Sequence, residues 1–193
     1  MRREFRGMMD AFAVLEFPRA PWVDDEELKE RFHRLSAARH PDVPGGSGEA
    51  FSELNEAYQI LRAPVARLRH FLTLTTPDAI VNSATIPPEL GDLFMRVASL
   101  KQAVKRFCGE QAAATSPLSQ AMLVPQMLAL RDELDAVESA IALRFAELQS
   151  AVRAPATSPA RLAELLSQMT YFVNWSKQTK ELVMAMSDVS SNQ

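Results

Sequence analysis

A single cysteine, Cys108, stands among the 193 residues, and its solitude closes off two protein classes. One thiol forms no intramolecular disulfide and supplies no multi-cysteine zinc site within a chain. Its plainest role is that of a small apolar residue on a helix face. Glycine is scarce at 6, and no stretch alternates Val, Ile, Thr and Tyr with polar residues, so the signature of a sheet is missing. Neither charge sign dominates: 21 cationic against 24 acidic residues give a net −3, and the whole molecule has no electrostatic reason to seek nucleic acid. A local basic patch stays open. No apolar run approaches the ~20 residues that span a bilayer. The basic segment Met1 to Met8 is followed by no apolar h-region, so it does not read as a secretory signal; a disordered leader and a misassigned start are both open. These absences predict an all-α, cytoplasmic protein without a membrane segment. The hydrophobic share of 47% and charged share of 23% are those of an ordinary globular chain of one or two small domains.

Met9 to Leu15 reads as one or two helical turns, ended by Phe17-Pro18 and Pro21. Asp24 then opens a helix as N-cap, with Glu27 three residues on as its capping-box partner and Asp25 and Glu26 at the positive end of the dipole. Leu28, Phe32 and Leu35 mark its apolar face. Pro41 stops it and turns His40 out into a loop, because the residue before a proline avoids the helical region. A second helix runs from Phe51 to Arg62, with Phe51, Leu54, Tyr58 and Leu61 on one face, as the antiparallel partner of the first. Gly45-Gly46-Ser47-Gly48 lacks the lysine and preceding strand of a phosphate-binding loop and reads as a flexible linker. Ala63-Pro64 breaks the second helix and starts a short one, Val65 to Leu74. His70 reads as a packing or surface residue of this helix. Residues 75–88 form a linker.

Beyond Pro88 the pattern is helical throughout. Leu90, Leu93, Val97, Leu100 and Val104 form one stripe. Breaks at Ala112 to Pro117 and Ala154 to Ser158 separate it from two further helices. The middle one carries Leu123, Met127, Leu130, Leu134, Val137, Ile141, Leu148 and Val152 at three- and four-residue steps, with Pro125 marking either its first turn or a kink. The last opens on Ser158-Pro159, buries Leu162, Leu165, Leu166, Met169, Phe172 and Val173, and runs to about Met186, with Ser187 to Gln193 frayed. Three long helices with short breaks predict an up-down-up bundle over 89–187.

An antiparallel helix pair joined by a loop carrying His40-Pro41-Asp42 resembles the J domain of DnaJ-type co-chaperones, over residues 9–74. Leu28, Phe32 and Leu35 match that family's core positions, and the run from Phe51 to Leu61 resembles its third helix nearly throughout. The resemblance implies docking on a heat-shock ATPase chaperone of the HscA/DnaK type and stimulation of its ATP hydrolysis, with no catalysis by this chain itself. It assigns chaperone contacts to His40, Pro41 and Asp42 and to the cations of the preceding helix, Lys29 and Arg34, with His33 where the family often has lysine. Asp42 would accept charge-assisted bonds from a partner arginine. His40 would either orient the loop or donate to the partner.

No Gly/Phe-rich linker and no Cys-x-x-Cys repeats follow, so the general DnaJ architecture ends at residue 75. Leu61-Arg62-Ala63-Pro64 and the arginine and apolar run after it resemble HscB, the J-domain co-chaperone of iron–sulfur cluster assembly. That resemblance implies a C-terminal three-helix domain holding the iron–sulfur scaffold protein as client, with Phe94, Met95, Ala98 and Tyr171 at the matching positions. On a helical wheel Phe94, Met95 and Ala98 drift off the Leu90–Val97–Val104 stripe and widen the apolar surface, which a central bundle helix or an interaction site would each do. The family's helix carries glutamates where this chain has Arg96, Lys101, Lys105 and Arg106. Reversed charge implies a scaffold with compensating acidic residues or a different client. The resemblance implies no cofactor and no metal, no nucleic-acid partner, and a monomer or weak homodimer. A helix-turn-helix DNA binder is the competing reading of the basic helix and its Pro turn; Glu53 and Glu56 on the next helix oppose it.

Overall fold

The computed structural model describes residues 9–43, 46–79, 88–155 and 157–191. Met1 to Met8 and most of the linker lie outside the described residues. Within them the chain is all-α, with no strand: α1 (Ala11–Val14), α2 (Asp25–Arg39), α3 (Gly48–Arg62), α4 (Pro64–Thr75), α5 (Gly91–Ala113), α6 (Pro117–Arg153) and α7 (Pro159–Ser191). Short 3-10 turns occupy Pro77–Ala79 and Pro88–Leu90. No helix among the described residues is long and apolar enough to cross a membrane. The chain divides into two compact units, one comprising Met1–Val81 with Gln149–Leu166 and the other Asn82–Leu148 with Ser167–Gln193.

In the first unit, α1 begins at Asp10, whose carboxylate accepts the Phe12 and Ala13 amide protons. Asp24 caps α2 by accepting the Glu26 and Glu27 amides at 3.0 Å each. The expected reciprocal bond from Glu27 does not form; its carboxylate instead takes the Arg31 guanidinium at 2.5 Å one turn on. α3 starts three residues before the predicted Phe51, because the Ser47 hydroxyl caps it by accepting the Ala50 amide at 3.1 Å. Ala11, Phe12, Leu15, Leu28, Leu35, Leu54, Ala57 and Leu61 make the core between α1, α2 and α3. Each leucine buried there contributes about 2 kcal/mol relative to exposure. Two side chains of α4 tie this unit together. Buried Arg67 donates to the Leu61 carbonyl at 2.8 Å and lies 3.6 Å from Asp25 at the start of α2. His70, also buried, accepts the Ala11 amide proton on Nε2 at 3.0 Å and stacks on Phe12. In the same unit the Arg153 guanidinium sits 4.3 Å over the Trp22 ring.

In the second unit Leu90, Val97, Leu100 and Val104 of the stripe predicted from sequence are buried and Leu93 is half-buried; Val97, Leu100, Val104 and Phe107 pack with Leu134, Val137, Ile141, Phe172 and Trp175. α6 opens well before Pro125: Ser116 and Ser119 exchange amide-to-hydroxyl bonds at 3.1 Å, a reciprocal cap that starts the helix at Pro117. Pro125 therefore lies inside the helix, on an exposed position where the carbonyl it leaves unpaired can meet water. Val173 is a correction. It is 46% exposed: one residue on from buried Phe172 and four on from buried Met169, the helical step of about 100° per residue carries it past the edge of the packed face. α7 also outruns its expected end near Met186, continuing to Ser191. A polar tie joins α6 to α7: the Glu138 carboxylate accepts Ser176 Oγ at 2.8 Å and Thr179 Oγ1 at 2.5 Å.

Candidate functional site

The loop after α2 is held by backbone bonds of its own. The Val43 amide donates to the His40 carbonyl at 3.0 Å, and the Gly46 amide donates to the Val43 carbonyl at 2.9 Å. Gly46 thereby lies against His40 so closely that a Cβ there would stand 1.9 Å from the His40 carbonyl oxygen. The glycine read as part of a flexible linker is thus a packing requirement of the loop. His40 turns its ring edge onto Phe51 of α3, centroids 5.5 Å apart, and its Nδ1 accepts the Asp42 amide proton at 3.3 Å. These two contacts are the ones an orienting role for His40 would use. Pro41 is exposed, and the Asp42 side chain is 86% exposed, with its carboxylate 3.4 Å from His40 Nδ1. The loop therefore presents an acceptor to solvent on a short, braced turn.

The cations of α2 differ in their surroundings. Lys29 is exposed and pairs with Glu26 at 2.6 Å, a bond that raises its pKa. Arg34 pairs with Glu16 at 2.6 Å, both groups being about half exposed or more. Glu16 occupies the left-handed region at φ 59°, and its carbonyl accepts a bond from Arg31, whose guanidinium also lies 4.1 Å over Phe17. His33 is exposed, its ring 5.8 Å from that of Phe32. Arg31 is legible in the sequence only as local charge on this helix; its bond to the Glu16 carbonyl escapes sequence reasoning, because it depends on how α1 ends.

In the second unit Phe94 and Met95 are exposed at 38% and 61%, while Ala98 and Tyr171 are half-buried. Buried Trp175 gathers two of them: its ring centroid lies 6.3 Å from Phe94 and 5.8 Å from Tyr171, with Phe172 edge-on at 5.6 Å. Trp175 was not among the residues expected from sequence. Its position four residues after Tyr171 was the available signal, as both fall on one helical stripe. Arg96, Lys101, Lys105 and Arg106 are all exposed. Cys108 packs at the edge of the core, and burial pushes its thiol pKa up, toward an inert side chain. Among the described residues, no group of three His, Cys, Asp or Glu could hold a metal ion.

The DnaJ domain family matches residues 10–70. Chaperone protein DnaJ of Trichormus variabilis is 43% identical over 50 residues, covering 25% of this chain and 13% of that protein. Its counterpart in Thermosynechococcus vestitus is 40% identical over 63 residues, covering 32% of this chain and 16% of that protein. These alignments thus span only a small part of either relative. Chaperone HscB from Vibrio cholerae superposes with a TM-score of 0.52 over 90% of this chain and 97% of that one, at 15% identity. Human co-chaperone protein HscB gives 0.52 over 91% and 85%, at 20% identity. Residues 10–70 therefore match the DnaJ domain, and the chain as a whole has the fold of the HscB structures it superposes on.

Proposed function

We propose that this chain stimulates ATP hydrolysis by a heat-shock ATPase chaperone of the HscA/DnaK type and delivers to it an iron–sulfur cluster scaffold protein. Residues 9–74 would act on the ATPase and 89–187 on the client, with 75–88 as linker. His40, Pro41, Asp42, Lys29, His33 and Arg34 would contact the chaperone; Phe94, Met95, Ala98 and Tyr171 would contact the client. The observation that carries the reading is the braced loop presenting Asp42 at the end of the helix that carries Lys29 and Arg34, inside a DnaJ domain. An exposed carboxylate on a short turn can meet a partner arginine without first being ordered. Hydrolysis itself would occur in the partner, coupled through its own conformational equilibrium.

The test is single-turnover ATP hydrolysis by the organism's own HscA- and DnaK-type chaperones, with this chain and with its Asp42→Asn variant. Stimulation by the parent that the variant loses supports the reading. Absence of stimulation of every such ATPase sinks it. A second reading keeps the same ATPase role with a different client. The exposed cations on α5 favour it, since this face would repel a partner that complements glutamates.

A further inference from the structure

α5 carries more than the apolar residues assigned above. Counting along a helix, Phe94, Ala98, Lys101 and Lys105 are spaced by four, three and four residues and share one stripe. Met95, Ser99, Gln102 and Arg106 form the stripe beside it by the same spacing. Each stripe is apolar at its N-terminal end and cationic about 10 to 16 Å further along. Arg96 falls on neither stripe.

The three cations have no intramolecular purpose on view. Lys101, Lys105 and Arg106 are exposed, and none has an ion-pair partner among the described residues. They also lie outside the last turn of α5, which contains no basic residue, so the helix dipole does not account for them. Between Phe94 and Arg106 neither stripe carries an acidic residue; Asp92, three residues before Met95, and Glu110, four after Arg106, flank the second stripe at its two ends. By contrast, Lys177 and Lys180 on α7 reach Glu181 and Glu138.

We propose that this face of α5 selects a protein segment in which an apolar anchor is followed, about two to three helical turns on, by carboxylates. The anchor would sit on Phe94 and Met95, and the carboxylates would meet Lys101, Lys105 and Arg106. The inference rests on the client surface proposed above and adds the charge sign of its partner. The apolar half favours a protein over a nucleic acid, as do the small number of cations and the net charge of −3.

The test uses the full chain and two synthetic amphipathic helical peptides. They share one Leu/Met face and differ in carrying glutamates or lysines at the downstream positions. A single-stranded RNA oligonucleotide serves as a third probe. The acidic peptide is expected to bind about 10-fold or more tightly than the basic one at low salt, with the ratio collapsing in high salt. Lys101→Glu with Lys105→Glu should reverse the preference, and Phe94→Ala should weaken both peptides alike. Equal binding of the two peptides, binding of neither, or RNA binding tighter than the acidic peptide overturns the inference. Binding of the iron–sulfur scaffold protein is measured separately. A scaffold that fails to bind while the acidic peptide still wins removes the client assignment and leaves the charge selectivity standing. A scaffold that binds regardless of salt and of the Lys101 and Lys105 substitutions removes the charge selectivity and leaves the client.

Discussion

The bond between His70 and the Ala11 amide gives the DnaJ domain a pH-dependent stability whose sign can be worked out. Nε2 is the acceptor, so the ring must be neutral and carry its proton on Nδ1. Burial lowers the His70 pKa below 6.5; Asp10 opposes the shift, and Arg19 adds to it. Protonation would destroy the acceptor and place a charge in the core, so the native state binds a proton less readily than the unfolded chain. The contribution is therefore fully present above about pH 6.5 and is lost as pH falls through that value toward the lower folded pKa. The loss has a ceiling of about 1.4 kcal/mol for each pH unit below 6.5, until the folded pKa is reached. His70→Gln removes the titration while offering a carbonyl to Ala11; His70→Leu strands the buried amide at a cost of about 1–3 kcal/mol. Urea unfolding of the full chain and hydrogen exchange of the Ala11 amide, compared between parent and His70→Gln at pH 7.5 and 5.5, isolate the effect. Other carboxylates titrate equally in both proteins and cancel. Asp10 in particular acts at lower pH: despite burial, which raises its pKa, the Arg19 guanidinium and the Ala13 and Phe12 amides hold it below 3.8. If the stability difference between parent and His70→Gln is the same at both pH values, the reasoning is refuted.

Gly46→Ala should abolish ATPase stimulation together with Asp42→Asn, because a Cβ 1.9 Å from the His40 carbonyl forces the loop open; retained stimulation, measured in single turnover, would contradict this. Glu16→Gly should raise stability by about 0.5–1 kcal/mol in urea unfolding, since it relieves a left-handed residue and forfeits only an exposed ion pair with Arg34. Arg67→Ala should cost about 3 kcal/mol by leaving the Leu61 carbonyl unmet and opening a cavity, again by urea unfolding. Thr179→Val should cost about 1–2 kcal/mol through the lost bond to Glu138, and Glu138→Gln in the same background should cost little more, a non-additivity that a double-mutant cycle would read.

The features legible in the sequence are those carried by local chemistry. Asp24 as a cap, the Pro41 stop, the Ser158-Pro159 start and the Leu28, Leu54, Leu61 and Val97 core positions each depend on a few neighbouring residues, and each is found as expected. What was missed depends on distant parts of the chain. Glu27 fits a capping box by spacing, but Arg31 competes for it across one helical turn. Gly46 looks like linker composition until the chain folds back and brings it onto His40. His70 is ambiguous in sequence because its partner, the Ala11 amide, lies 59 residues away. Trp175 shows as one more apolar residue on α7, and its place beneath Phe94 depends on how α5 and α7 pack.

The cations of α2 and those of α5 also differ in a way that bears on how each could bind. On α2, Lys29 and Arg34 are already engaged by Glu26 and Glu16, and Arg31 by Glu27. These pairs are largely exposed, so exchanging them for a partner's carboxylates costs little, about 0–1 kcal/mol each. The net field above that helix is correspondingly weak. Docking there would depend less on steering than on the fit of the Asp42 loop, whose geometry is braced before any partner arrives. On α5, Lys101, Lys105 and Arg106 have no counter-charge at ion-pair distance among the described residues, so their field is less neutralised than that of the α2 cations and would speed encounter with an acidic partner. Salt should therefore act unequally on the two encounters. Raising ionic strength should slow association at α5 by about 10-fold or more while changing ATPase stimulation much less.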